Sequence, residues 1–151
     1  MLNSVLIAVD GSPQADAVVT LAQQILSRQS AEVHVICVVD SGYLSPEDEK
    51  GSEIWDGLVY PAARYEHQAA RQIIARAVSR LEEEGYRVTG NILPGEPVTV
   101  IIREAARVKA GLIVMGHRHR SALKRWAEPS VVKEVIDLAN CPVLVENQFS
   151  A

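Results

Sequence analysis

Short apolar runs alternate with stretches of helical period along the whole chain, and that alternation constrains the fold more than any other feature. The runs are Val5 to Val9 (VLIAV), Glu32 to Val39 (EVHVICVV), Leu112 to Met115 and Val143 to Val145, and the more polar Arg87 to Leu93 reads as a further strand. Continuous apolar runs of this length, rich in β-branched residues, suit strands buried on both faces. Between them, Val18, Leu21, Ala22, Ile25 and Leu26 recur at helical spacing through about Arg28. The same period runs from Pro61 to Glu84, from Val98 to Val108 and from Ser130 to Leu138. The order β-α-β-α-β-α-β-α-β predicts an α/β fold with a doubly wound parallel sheet of five strands. Right-handed crossovers place helices on both faces.

Local signals support the boundaries. Ser12 is a good N-cap ahead of Pro13, and Gly85 fits the C′ position after the second helix. Gly95-Glu96-Pro97 reads as the turn into the third helix, and Gly111 as its end. Gly116 reads as a turn at the carboxyl end of the fourth strand, opening a polar, basic loop from His117 to Arg125. Asp40 to Tyr60 has no clear period and reads as a long loop, with Trp55 packing it to the body and Glu47-Asp48-Glu49 solvated. No tandem repeat, low-complexity tract or linker interrupts the chain, so residues 1–151 are expected to form a single domain.

The totals exclude some classes of function. A net charge of −4 argues against general nucleic-acid binding. No apolar run approaches the ~20 residues needed to cross a membrane, and the N-terminus lacks the basic n-region and cleavage site of a signal peptide. The cytoplasm is the expected location. Cys37 and Cys141 then read as two buried thiols rather than a disulfide.

The motifs add up to a likeness. LIAVDGS near the start, GEP before the third helix, LIVMG after it and CPVLV near the end resemble the universal stress protein family, across nearly the whole chain. The resemblance implies the strand order 3-2-1-4-5 and a homodimer. Pairing is expected through the C-terminal edge strand, Cys141 to Glu146. An exposed apolar edge is a liability that a two-fold partner strand removes. Nucleotide-binding members of the family carry Gly, two residues, Gly, nine residues, then Gly before Ser or Thr, with the loop backbone around the phosphates. On that pattern Asp10 stands at the ribose position and Val39 near the backbone that meets adenine. Gly116 matches the first glycine and Ser130 the final hydroxyl. His117 lies in the same candidate nucleotide loop. His119 replaces the middle glycine and Pro129 the third. His119 brings a ring toward the phosphate position, and Pro129 fixes φ and removes an N–H donor.

Other readings of these residues stand beside that one. His117 and His119 form an i, i+2 pair without the further ligands a metal site needs, so no metal is expected. Arg118, Arg120, Lys124 and Arg125 form a basic patch that is either solvated, bound to an anion or met by a protein partner. Asp10 can cap the first helix together with Ser12. The chain has no G-x-S-x-G elbow and no Walker A sequence, and no catalytic residues are assigned. The expectation is a stress-response protein acting as a regulatory or protective binding module, without a tightly bound cofactor and with a partner that is itself or a regulatory protein. The alternative is an ATP- or AMP-binding sensor, with or without slow ATP hydrolysis.

Overall fold

A computed structural model describes residues 2–26, 31–39, 61–118 and 129–148. The Asp40 to Tyr60 loop with Trp55 lies outside these residues, as do His119, Arg120, Lys124 and Arg125. Strands β1 (Ser4–Val9), β2 (Glu32–Val39), β3 (Arg87–Pro94), β4 (Leu112–Arg118) and β5 (Val143–Gln148) alternate with helices α1 (Gln14–Ile25), α2 (Pro61–Glu83), α3 (Pro97–Arg107) and α4 (Pro129–Leu138). All strand pairs are parallel, in the order β3-β2-β1-β4-β5. The expected class and strand order are both found.

Central β1 is buried along its whole length, and its alternating side chains feed two separate cores. Val5, Ile7 and Val9 face α1 and α2, where Val18, Ala22, Ile74 and Leu81 pack against Val33 and Val35 of β2. Leu6 and Ala8 face α3 and α4, where Ile101, Val131 and Val135 pack against Ile36, Ile113 and Met115. Each fully buried Leu or Ile contributes roughly 1.5–3 kcal/mol of transfer free energy. Helix α2 sits so close to β3 that a Cβ on Gly90 would come 2.7 Å from methyls of both Ile74 and Val78. Cys37 belongs to the first core and Cys141 borders the second. The sheet therefore separates them, and they form no disulfide.

Helix ends follow their capping chemistry. At the end of α2, Gly85 has φ +94°, its N–H donates to the carbonyl of Glu82, and the Tyr86 N–H donates to that of Leu81. This is the Schellman arrangement expected from the glycine. Helix α3 closes the same way, but not at the expected residue. Lys109 takes the left-handed conformation, with φ +53°, and the Ala110 N–H donates to the Ala105 carbonyl. Gly111 instead donates to the Ser4 carbonyl at 2.8 Å and opens β4. Helix α3 begins at Glu96, whose carboxylate accepts from the N–H groups of Val98 (3.1 Å) and Thr99 (2.8 Å). Partial burial opposes the charged form of Glu96, yet hydrogen bonds from the Thr99 backbone and hydroxyl and the Val98 backbone outweigh it and hold the pKa below its ordinary value.

Three expected boundaries move. Helix α1 stops at Ile25, because Leu26 is already extended, and Ile25 is exposed instead of facing the core. Strand β4 does not turn at Gly116 but continues to Arg118, and β5 continues past Val145 to Gln148. The extensions pair with one another: Gly116 with Glu146, His117 with Asn147 and Arg118 with Gln148. Backbone pairing at the sheet margin needs no apolar side chains, so a polar sequence carries it.

Candidate functional site

The carboxyl ends of β1, β2 and β4 bring together four of the residues singled out in the sequence, Asp10, Val39, Gly116 and His117. In an open parallel sheet this edge is where ligands bind. Asp10 follows β1 and is buried. Its Oδ1 accepts from the Ser12 N–H at 3.0 Å and from the Ser12 hydroxyl in a short hydrogen bond. The Ser12 Oγ in turn accepts from the Gln14 N–H at 3.3 Å. Asp10 thus steadies Ser12, whose Oγ meets the first N–H of α1; the N-cap position itself falls on Pro13 rather than on Ser12 as expected, and Pro13 makes no side-chain cap bond.

Val39 ends β2, opposite Pro94. Its carbonyl accepts from the Gly95 N–H at 3.0 Å. Gly95 has φ +141°, and a Cβ there would come 2.7 Å from a Val100 methyl, so glycine is needed for both conformation and space. The turn into α3 is thereby held against the end of β2.

Gly116 is extended strand rather than turn. A Cβ at this position would come 2.8 Å from Cδ and 2.9 Å from Nε2 of Gln14. Gln14 is 5% exposed, and its Nε2 donates to the carbonyls of His117 and Glu146, each at 3.1 Å. Val9, Asp10, Gln14, Ala15, Val18 and Gly116 line a small cleft at this point. Ser130 lies in the first turn of α4, so the end of the candidate loop is a helix start, whose free N–H groups suit an anion. His119 lies outside the described residues. Among those residues no group of three or more His, Cys, Asp or Glu side chains gathers to hold a metal.

Gln14 is the residue that sequence reasoning overlooked. The signal was its position: four residues before Val18 and seven before Leu21, it falls on the apolar stripe of α1. A polar residue there is buried with partners or not at all. Glu104 repeats the pattern three residues after Ile101. It is 6% exposed, and it accepts from Arg107 Nε at 2.8 Å, with Nη2 at 2.7 Å from the same oxygen.

With this geometry in view, comparison with known proteins places the chain. Residues 1–146 match the model of the universal stress protein family. The chain is 32% identical over 145 residues to Universal stress protein MJ0531 of Methanocaldococcus jannaschii, covering 96% of this chain and 82% of that protein. Among solved structures, universal stress protein UspA from Lactobacillus plantarum superposes with a TM-score of 0.72 at 25% identity, covering 95% of this chain and 96% of that one. A universal stress protein family protein from Arabidopsis thaliana, solved with AMP bound, superposes with a TM-score of 0.60 at 18% identity, covering 97% and 92%. The chain belongs to the universal stress protein family and is a stress-response protein of that family. Among the described residues no helix is long and apolar enough to cross a membrane.

Proposed function

We propose that this protein acts by binding rather than turnover, as a regulatory or protective module whose nucleotide loop has weak or no affinity for ATP. The observation that carries the reading is the loop itself. His119 and Pro129 stand where the nucleotide-binding pattern has glycines, so the backbone loses both conformational freedom and an N–H donor. The close approach of Gln14 to Gly116 supports it, because the one glycine retained at the start of the loop already has a packing role. The module is a single cytoplasmic domain that forms a homodimer through Cys141 to Glu146, with a regulatory protein as a further partner.

Isothermal titration of ATP into the full chain at micromolar concentration is expected to show no heat. A dissociation constant below ~10 µM, about −7 kcal/mol, would sink the reading. The second reading, an adenine-nucleotide sensor, is favoured by Asp10 and Ser130 at their matching positions and by the AMP-bound relative of the same fold. It predicts nucleotide released on denaturing the purified protein, and weaker binding by Asp10→Ala. Full binding by Asp10→Ala would remove Asp10 from the site.

A further inference from the structure

We propose that Gln14 is a positioning residue that joins the end of β4 to the edge strand, and that Gly116 is glycine because a Cβ there would displace this carboxamide from its two carbonyls. The inference deepens the reading above, since Gly116 and the edge strand named there meet at this one carboxamide.

Pairing between β1 and β4 ends at Ala8 and Met115, whereas β4 and β5 stay paired to Arg118 and Gln148. The last three residue pairs of β4 and β5 therefore run on beyond the pairing of β4 with β1. At that point the chain from β1 turns into α1, and Gln14 in its first turn reaches both strands. A carboxamide has two N–H donors on one nitrogen, and only that end can serve two carbonyls. The contacts at 3.1 Å to His117 and Glu146 thus fix the orientation of the amide as well as its place. The backbone N–H of the same residue donates to Ser12 Oγ, and Ser12 donates to Asp10. One connected run of hydrogen bonds leads from Asp10 at the end of β1, through the first turn of α1, to the outgoing ends of β4 and β5. Gln14 is buried, so a lost partner here is not replaced by bulk water.

Gly116 completes the joint from the other side. Its missing Cβ would meet Cδ, Nε2 and Oε1 of Gln14 at 2.8, 2.9 and 3.0 Å. Glycine at 116 has no positive φ to justify it, since the left-handed glycines among the described residues are Gly85 and Gly95. Close approach is the remaining steric reason for it. The glycine and the glutamine are predicted to be energetically coupled, and the ends of β4 and β5 are predicted to be held together through α1.

The test is a double-mutant cycle on the full chain without nucleotide, together with hydrogen exchange. Gly116→Ala is expected to lower the thermal midpoint by roughly 3 °C or more in the parent protein. In the Gln14→Ala background, where the space is open, the same change is expected to cost under about 1 °C or to stabilise. Gln14→Met, which keeps the volume and removes both donors, is expected to speed exchange of the amides in 116–118 and 146–148 about tenfold. Amides of 87–93, on the far side of the sheet, are expected to keep their rates. Equal cost of Gly116→Ala in both backgrounds overturns the proposal. So does unchanged exchange at both strand ends, or an equal rise across the whole sheet. All of these outcomes are read without nucleotide, so tight ATP binding would refute the reading of the loop and leave the joint standing.

Discussion

The phenol of Tyr86 donates a 3.0 Å hydrogen bond to the carbonyl of Leu26, and both residues are buried. Leu26 follows the last turn of α1, where helix carbonyls lack partners from the helix itself. Tyr86 supplies one from the far end of α2, just before β3. Tyr86→Phe keeps the ring and strands the acceptor, at an expected cost of roughly 1–3 kcal/mol. Urea unfolding of the variant measures it, and an unchanged midpoint would show that the carbonyl finds another donor.

Lys109 closes α3 with φ +53°, a conformation that costs a side-chain-bearing residue about 1 kcal/mol or more. Lys109→Gly is expected to raise stability by somewhat less than that, because glycine also gains entropy in the unfolded chain. The check is again chemical denaturation. A destabilised variant would mean that the lysine makes compensating contacts.

His34 gives the fold a pH dependence with a definite sign. Burial disfavours its charged form and outweighs the attraction of Glu32; Arg107 adds to the lowering and Glu104 opposes it, and the pKa falls below its ordinary 6.5. Around the ring, Nδ1 meets the Thr89 hydroxyl at 2.9 Å and Nε2 lies 3.8 Å from Glu32, which also reaches toward Arg87. A histidine whose folded pKa is depressed binds fewer protons folded than unfolded. Stability is then fully present above the unfolded value and is lost as pH falls through the folded one. Stability should decline on acidification from about pH 6.5, and His34→Gln should remove part of that slope. Parallel slopes for the two proteins between pH 7 and 5 would show that other groups carry it.

The proposed homodimer uses β5, the last strand in the sheet order. Leu144 pairs with Val114 on the inner side. Leu144→Pro removes a backbone donor and disfavours strand pairing, so light scattering is expected to show monomer or aggregate in place of dimer. A stable monomer for the unchanged protein at tens of micromolar would contradict the dimer itself.

The α/β class was legible because strand-like runs and regular helical stripes alternate along the whole chain, whereas the strand order was implied by the family resemblance. The strand ends were not legible. Gly116 to Arg118 and Glu146 to Gln148 are held by backbone pairing at the margin of the sheet, and the polar residues there look the same in a loop. The close of α3 misled for a different reason. Glycine is the usual left-handed residue, so Gly111 drew the expectation, whereas Lys109 bears the positive φ. Gly111 answers to space: a Cβ would come 3.1 Å from a Leu2 methyl. Of the candidate residues, Asp10 and Val39 were singled out by the family resemblance, and they fall after β1 and at the end of β2. Gln14 was not, because its partners are carbonyls of His117 and Glu146, more than a hundred residues away.

The alternation along β1 also acts as a key. Val5, Ile7 and Val9 point to one core and Leu6 and Ala8 to the other. A slip of one residue in pairing would send three β-branched side chains into the space shaped for Leu6 and Ala8, and leave only those two to fill the side they left. Both errors occur together and in opposite senses, so relaxing one layer cannot absorb the other. The central strand thus rejects a misaligned sheet by volume alone, without recourse to the polar contacts at its carboxyl end.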